Sequence, residues 1–149
     1  MLDITLLIAD DEEELIENLK YDLEKSISKI IVAENGEEAL KKLKSNKVDC
    51  VLADINMPGK NGLVFAKEAR EWGYQLPIMF LTAHGDDHLM KNALSLNAFD
   101  FIDKPYEKKT LLDILQEAAS ESKAMQKDIA RDETIDSEFK RSYLLMLKE

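Results

Sequence analysis

The residues of this chain that could act together are the Asp10-Asp11 pair, Asp54, Thr82 and Lys104. Each lies within two residues of the end of a short apolar run, at Ile4 to Ala9, Cys50 to Ala53, Ile78 to Leu81 and Phe99 to Ile102. Each also has an ordinary explanation. Asp10 and Asp11 open an acidic run with Glu12, Glu13 and Glu14, which suits the first turn of a helix. Asp54 precedes the turn-forming Asn56-Met57-Pro58-Gly59, Thr82 is a β-branched residue ending a strand, and Lys104 stands before a proline. Separate explanations leave out the coincidence at successive strand ends. Three carboxylates within a few ångströms repel unless a cation offsets them. Mg²⁺ is the natural candidate, because it takes oxygen ligands and is often held by one or two carboxylates together with phosphate oxygens.

Convergence depends on the elements that carry these residues. Ile4-Thr5-Leu6-Leu7-Ile8-Ala9 is almost continuously apolar, as expected for a strand covered on both faces. Similar runs follow at Ile30 to Ala33, Cys50 to Ala53, Ile78 to Leu81 and, more weakly, Phe99 to Ile102. Helical spacing fills the intervals, through Leu15, Ile16, Leu19 and Leu23, then Ala39, Leu40 and Leu43, then Leu63, Ala66 and Ala69, then Leu89, Ala93, Leu94 and Leu96. Leu111, Leu112, Leu115 and Ala118 mark a fifth helix. Strands alternating with helices in this way imply a doubly wound α/β domain, a five-stranded parallel sheet with helices on both faces. Ligands of such sheets bind outside the carboxyl ends of the strands, where the candidate residues lie.

The quoted motifs occur in the order of a known family. Ile8-Ala9-Asp10-Asp11-Glu12, Leu52-Ala53-Asp54-Ile55-Asn56-Met57-Pro58 with Gly62 following, Phe80-Leu81-Thr82-Ala83, and Phe101-Ile102-Asp103-Lys104-Pro105 together resemble the CheY-like receiver domain of two-component response regulators. The resemblance runs from about Ile4 to Ser120 and implies a flavodoxin-like fold and phosphorelay signal transduction. Carried over residue by residue, it makes Asp54 the phosphoacceptor for a phosphohistidine donor, on a sensor histidine kinase or a histidine phosphotransfer protein. Asp11 and Asp54 would bind Mg²⁺ with the backbone carbonyl of Asn56, and Asp10 would act through metal-bound water. Lys104 would offset charge on the phosphoryl oxygens. Thr82 would hydrogen-bond one of them, and Phe101 stands where the family keeps a switch aromatic. The resemblance also implies a cis Lys104-Pro105 bond. Asn97 replaces a glycine common in the family, and Asn tolerates left-handed backbone better than most residues. His84 falls near the site entrance, where a metal role is not expected, and His88 reads as exposed on the fourth helix.

Composition bounds the alternatives. A formal net charge of -10 repels phosphate backbones and anionic lipid, so direct nucleic-acid binding by this chain and a membrane-surface role are disfavoured. The single Cys50 lies inside an apolar run and reads as a buried thiol, and no apolar stretch approaches a membrane span, so a cytoplasmic protein is expected. Two other chemical classes remain open. A Mg²⁺-dependent aspartate-nucleophile phosphohydrolase would place its nucleophile after the first strand in an Asp-x-Asp arrangement, whereas Asp10 and Asp11 are adjacent. A flavodoxin-like cofactor binder would need a Ser, Thr and Gly-rich loop there, and Asp10 to Glu14 would repel its phosphate. The chain therefore reads as a phosphoacceptor switch rather than an enzyme in the ordinary sense, with self-phosphorylation and self-dephosphorylation chemistry.

Residues 1–120 read as the receiver domain and 121–149 as a helical C-terminal extension or the start of a linker. Leu111, Leu115, Ala118, Ser122, Met125 and Ile129 alternate four and three apart, so the fifth helix is expected to run on as a narrow amphipathic helix. Asp136-Ser137 suits a helix cap ahead of Phe139, Tyr143, Leu144 and Leu147, an apolar face that needs cover from the receiver, from a second copy in a homodimer, or from a partner protein. A downstream protein target is expected in place of DNA.

Overall fold

A computed structural model describes residues 1–83 and 86–131, with side chains to Met125. The elements alternate strictly: β1 (Leu2–Ala9), α1 (Glu13–Leu23), β2 (Ile27–Ala33), α2 (Gly36–Ser45), β3 (Cys50–Asp54), α3 (Gly62–Glu71), β4 (Ile78–Thr82), α4 (Asp87–Leu94), β5 (Asp100–Asp103) and α5 (Lys108–Arg131). All strand pairs are parallel, in the order β2-β1-β3-β4-β5. The order reverses between β1 and β3, which is the crevice where doubly wound sheets hold ligands.

Alternation along each strand divides the core in two. Leu7, Ala9, Val51, Ala53 and Phe80 face α2 and α3, meeting Leu40, Leu43, Phe65 and Ala66. Leu6, Ile8, Leu52, Met79 and Leu81 face the other way, onto Leu19 and Leu23 of α1 and Leu111, Leu115 and Ala118 of α5. The central strands β3 and β4 are buried along their whole length, which is why they are apolar up to the polar residue that ends each.

Short polar devices fix the helix starts. Asn35 Oδ1 accepts the Glu38 amide at 2.8 Å and Asn61 Oδ1 accepts the Val64 amide at 3.0 Å, so both residues act as N-caps. The α3–β4 and α4–β5 loops are tied by one side chain. Arg70 donates to the carbonyls of Tyr74, Leu76, Leu96 and Asn97 at 2.7 to 3.2 Å. Asn97 itself adopts φ 58°, the left-handed geometry expected at that position. His88 is exposed on α4 as expected, whereas His84 and the segment holding Phe139, Tyr143, Leu144 and Leu147 lie outside the described residues. The fifth helix continues to Arg131.

Candidate functional site

The ends of β1, β3, β4 and β5 bring Asp10, Asp54, Thr82 and Lys104 to one edge of the sheet. β1 is prolonged through the Asp10 amide, which donates to Ala33 O at 3.0 Å, and the Ile55 amide donates to Leu81 O at 3.1 Å beyond the end of β3. The Lys104 amide donates to Thr82 O at 2.8 Å, which sets the lysine beside the end of β4. The Lys104-Pro105 peptide bond is cis. Tyr106 follows and donates its hydroxyl to Asp22 on α1.

At the centre, Lys104 Nζ lies 3.0 Å from Asp54 Oδ2, 3.3 Å from Asp10 Oδ2 and 3.0 Å from Glu12 Oε1. Backbone amides hold the other carboxylate oxygens. Asn56 N donates to Asp54 Oδ1 at 3.0 Å and Glu12 N to Asp10 Oδ1 at 2.8 Å. Asp10 is fully buried and Asp54 nearly so. Asp10 Oδ2 is a buried oxygen without a hydrogen bond of good geometry, even with the ammonium close by. Oxygens of Asp10, Glu12 and Asp54 come within 4.8 Å of one another. An orphaned carboxylate oxygen among hard oxygen donors fits a divalent cation such as Mg²⁺.

The electrostatics follow from burial. Desolvation raises the Asp10 and Asp54 carboxyls above their ordinary range. The Glu12 and Asn56 amides and the Lys104 ammonium oppose that shift, while Asp54 adds to it at Asp10 and Asp11 adds to it at Asp54. Burial works against the Lys104 ammonium, but its bonds to Asp54 and Glu12 and the charges of Asp10 and Asp54 outweigh it and raise its pKa. One ammonium thus serves several acids, leaving local negative charge for another cation to offset.

Not every expected residue joins the centre. Asp11 is exposed and outside the compact set, where Glu12 stands instead. Asn56 contributes its amide, and its side chain is exposed. Thr82 is buried at the end of β4, and its hydroxyl donates to Asp103 Oδ1 at 3.1 Å. Phe101 stacks on Phe80 with ring centroids 6.1 Å apart and planes at 24°. Glu12 and Asp103 stand inside the quoted motifs, but residue type assigns neither a role. Glu12 resembled the rest of its acidic run, and the signal for Asp103 was its pairing with Thr82, which only strand register reveals. Gly62 completes the arrangement, for a Cβ there would stand 2.3 Å from the carbonyl oxygen of Asp54. The nearness of α3 to Asp54 requires a residue without a side chain.

Comparison with known proteins places the fold in a family. Residues 6–116 match the family model for the response regulator receiver domain. The alkaline phosphatase synthesis transcriptional regulatory protein PhoP of Bacillus subtilis is 37% identical over 101 residues, covering 68% of this chain and 42% of that protein. The response regulator GtcR of Aneurinibacillus migulanus is 41% identical over 102 residues, with the same coverage. The chain thus spans less than half the length of these relatives. Among solved structures, a putative response regulator from Chloroflexus aurantiacus shares 30% identity and a TM-score of 0.72, over 79% of this chain and 98% of that one. A response regulator receiver domain protein from Clostridium thermocellum shares 26% identity and a TM-score of 0.77, over 82% and 98%. These matches favour the signalling reading over the phosphohydrolase. Among the described residues no helix is long and apolar enough to cross a membrane. The chain belongs to the response regulator receiver domain family.

Proposed function

We propose that residues 1–120 form a phosphorylatable switch in two-component signalling, with Asp54 as phosphoacceptor. The observation that carries this reading is the buried Asp54 carboxylate at the end of the central strand, on Lys104 and beside the orphaned oxygen of Asp10. An Asp54 oxygen attacks the phosphorus of a phosphohistidine, on a sensor histidine kinase or a histidine phosphotransfer protein. The new O–P bond forms as the P–N bond breaks, and the leaving imidazole nitrogen keeps the electron pair. Such transfer needs positioning and charge neutralisation more than further covalent groups.

Each neighbour has a share in that. The Asn56 amide fixes the orientation of the Asp54 carboxylate, and Lys104 lies where it can follow negative charge from the carboxylate to the phosphoryl oxygens. Asp10, Asp11 and Asp54, with the Asn56 carbonyl, would hold Mg²⁺, and Glu12 joins them as a further carboxylate at the rim. When bound, Mg²⁺ neutralises acidic and phosphoryl oxygens. Thr82 bonds one phosphoryl oxygen after transfer, and Phe101 responds to that change at the β4–β5 edge. The output is a protein-interaction surface in the cytoplasm, acting on a downstream protein target or a second copy of the chain. Self-dephosphorylation returns the switch to rest.

Incubation with Mg²⁺ and acetyl phosphate, followed by intact-protein mass spectrometry, tests the assignment. One phosphoryl adduct is expected on the wild type and none on Asp54→Asn. An undiminished adduct on the variant removes Asp54 from the role.

A further inference from the structure

We propose that Asp103 is a positioning residue that holds the Thr82 hydroxyl in a resting state and competes with the phosphoryl group for it. The inference rests on the reading of Thr82 given above, and goes beyond it by naming what opposes the switch. Thr82 Oγ1 donates to Asp103 Oδ1 at 3.1 Å, and the two residues face each other in the β4–β5 register. A threonine hydroxyl has a single proton to donate. It cannot bond the Asp103 carboxylate and a phosphoryl oxygen at the same time.

Burial makes the competition costly to escape. Thr82 is only 2% exposed, so water is a poor substitute partner for a hydroxyl that has lost its acceptor. Asp103 is exposed, so its carboxylate is readily solvated once released. The contact is therefore asymmetric: the threonine needs a partner, and the aspartate does not. Asp103 also directly precedes Lys104, whose ammonium bonds Asp54. Withdrawal of the Thr82 proton from Asp103 thus occurs one residue away from the group that senses charge on Asp54. Deleting the acceptor leaves the resting hydroxyl unpaired and favours the state in which it meets the phosphoryl group. The net contribution of an ordinary intramolecular hydrogen bond corresponds to about a two- to tenfold change in that equilibrium.

The test compares the wild type with Asp103→Ala, Asp103→Asn, Thr82→Ala and the Asp103→Ala/Thr82→Ala pair. The readout is the equilibrium affinity for beryllofluoride with Mg²⁺, a mimic of the carboxyl-bound phosphoryl group, by calorimetry. Asp103→Ala is expected to bind the mimic about two- to tenfold more tightly. Asp103→Asn keeps an acceptor oxygen without the charge and restores affinity toward that of the wild type, and in the Thr82→Ala background removal of Asp103 has no effect. Equal tightening by Asp103→Asn and Asp103→Ala, or tightening that persists without Thr82, means that Asp103 acts through its charge and overturns the proposal. Unchanged affinity of Asp103→Ala overturns it as well. Acetyl phosphate labelling of the same proteins separates the two levels: an adduct on Asp54 with unchanged mimic affinities sinks only the role of Asp103, whereas no adduct on the wild type sinks the phosphoacceptor reading and this role with it.

Discussion

Substitution of Gly62 by alanine isolates the close approach between α3 and the backbone of Asp54. The added Cβ would stand 2.3 Å from Asp54 O, 3.1 Å from Asp54 C and 3.1 Å from Ile55 Cα. All are backbone atoms, so no side chain can swing aside. Relief requires α3 to lift or the end of β3 to shift by several tenths of an ångström, at a site where Phe65 and Ala66 are locked into the core. Such overpacking costs about 1 to 3 kcal/mol, more than the roughly 0.5 to 1 kcal/mol that alanine gains over glycine in a helix. With roughly 2 to 8 °C of melting temperature per kcal/mol, Gly62→Ala is expected to melt several degrees lower. The Asp54 carboxylate shifts with its backbone, so the rate of adduct formation from acetyl phosphate falls as well. Gly59→Ala is the control. Gly59 has φ +70° and open space around a Cβ, so alanine there costs about 1 kcal/mol of backbone strain without touching Asp54. Calorimetry and intact mass should show both variants less stable and only Gly62→Ala slow to label. Equal labelling by the two, or a wild-type melting temperature for Gly62→Ala, refutes the packing argument.

Asp10→Asn should raise the melting temperature at neutral pH. Because burial lifts the Asp10 carboxyl above its unfolded value of 3.8, its contribution is fully present below that value and is lost as pH rises through the folded one, so the advantage of the variant should vanish as pH falls toward 3.8. An advantage independent of pH would rule out ionisation as its source. Mg²⁺ at a hundredfold excess over its dissociation constant should stabilise the wild type by about 2.7 kcal/mol, and Asp10→Asn much less. Thermal melts with Mg²⁺ or a chelator measure this, and identical responses of the two proteins would exclude the acidic cluster. Cys50, buried and with its thiol pushed up to about 12, should resist alkylation by iodoacetamide near pH 8 until the chain unfolds. Rapid labelling of the native protein, followed by mass spectrometry, would contradict that burial.

The strands that apolar runs disclose are those buried on both faces. β3 and β4 lie where Cys50 to Ala53 and Ile78 to Leu81 place them, each with one polar residue added at its carboxyl end. The edges were harder to read. β2 begins at Ile27 rather than Ile30, because Ser28 and Lys29 of an outer strand face solvent and interrupt the apolar signal, while pairing with β1 shifts register there and continues. β5 ends on Asp103 for the same reason. Arg70, which joins two loops through four carbonyls, has no sequence signature at all, since backbone acceptors are common to every residue.

Within the site, strand ends were sufficient to locate Asp10, Asp54, Thr82 and Lys104, because a parallel doubly wound sheet delivers all carboxyl ends to one edge. Adjacent acids in a loop pose a different problem. Which of Asp11 and Glu12 reaches Lys104 depends on backbone torsions over a few residues, and both residue types are compatible with either direction. The partner of Thr82 is more distant still, since its bond to Asp103 is made across a strand pair. Residue type thus settles which groups reach the edge. The bonds they make are settled by register.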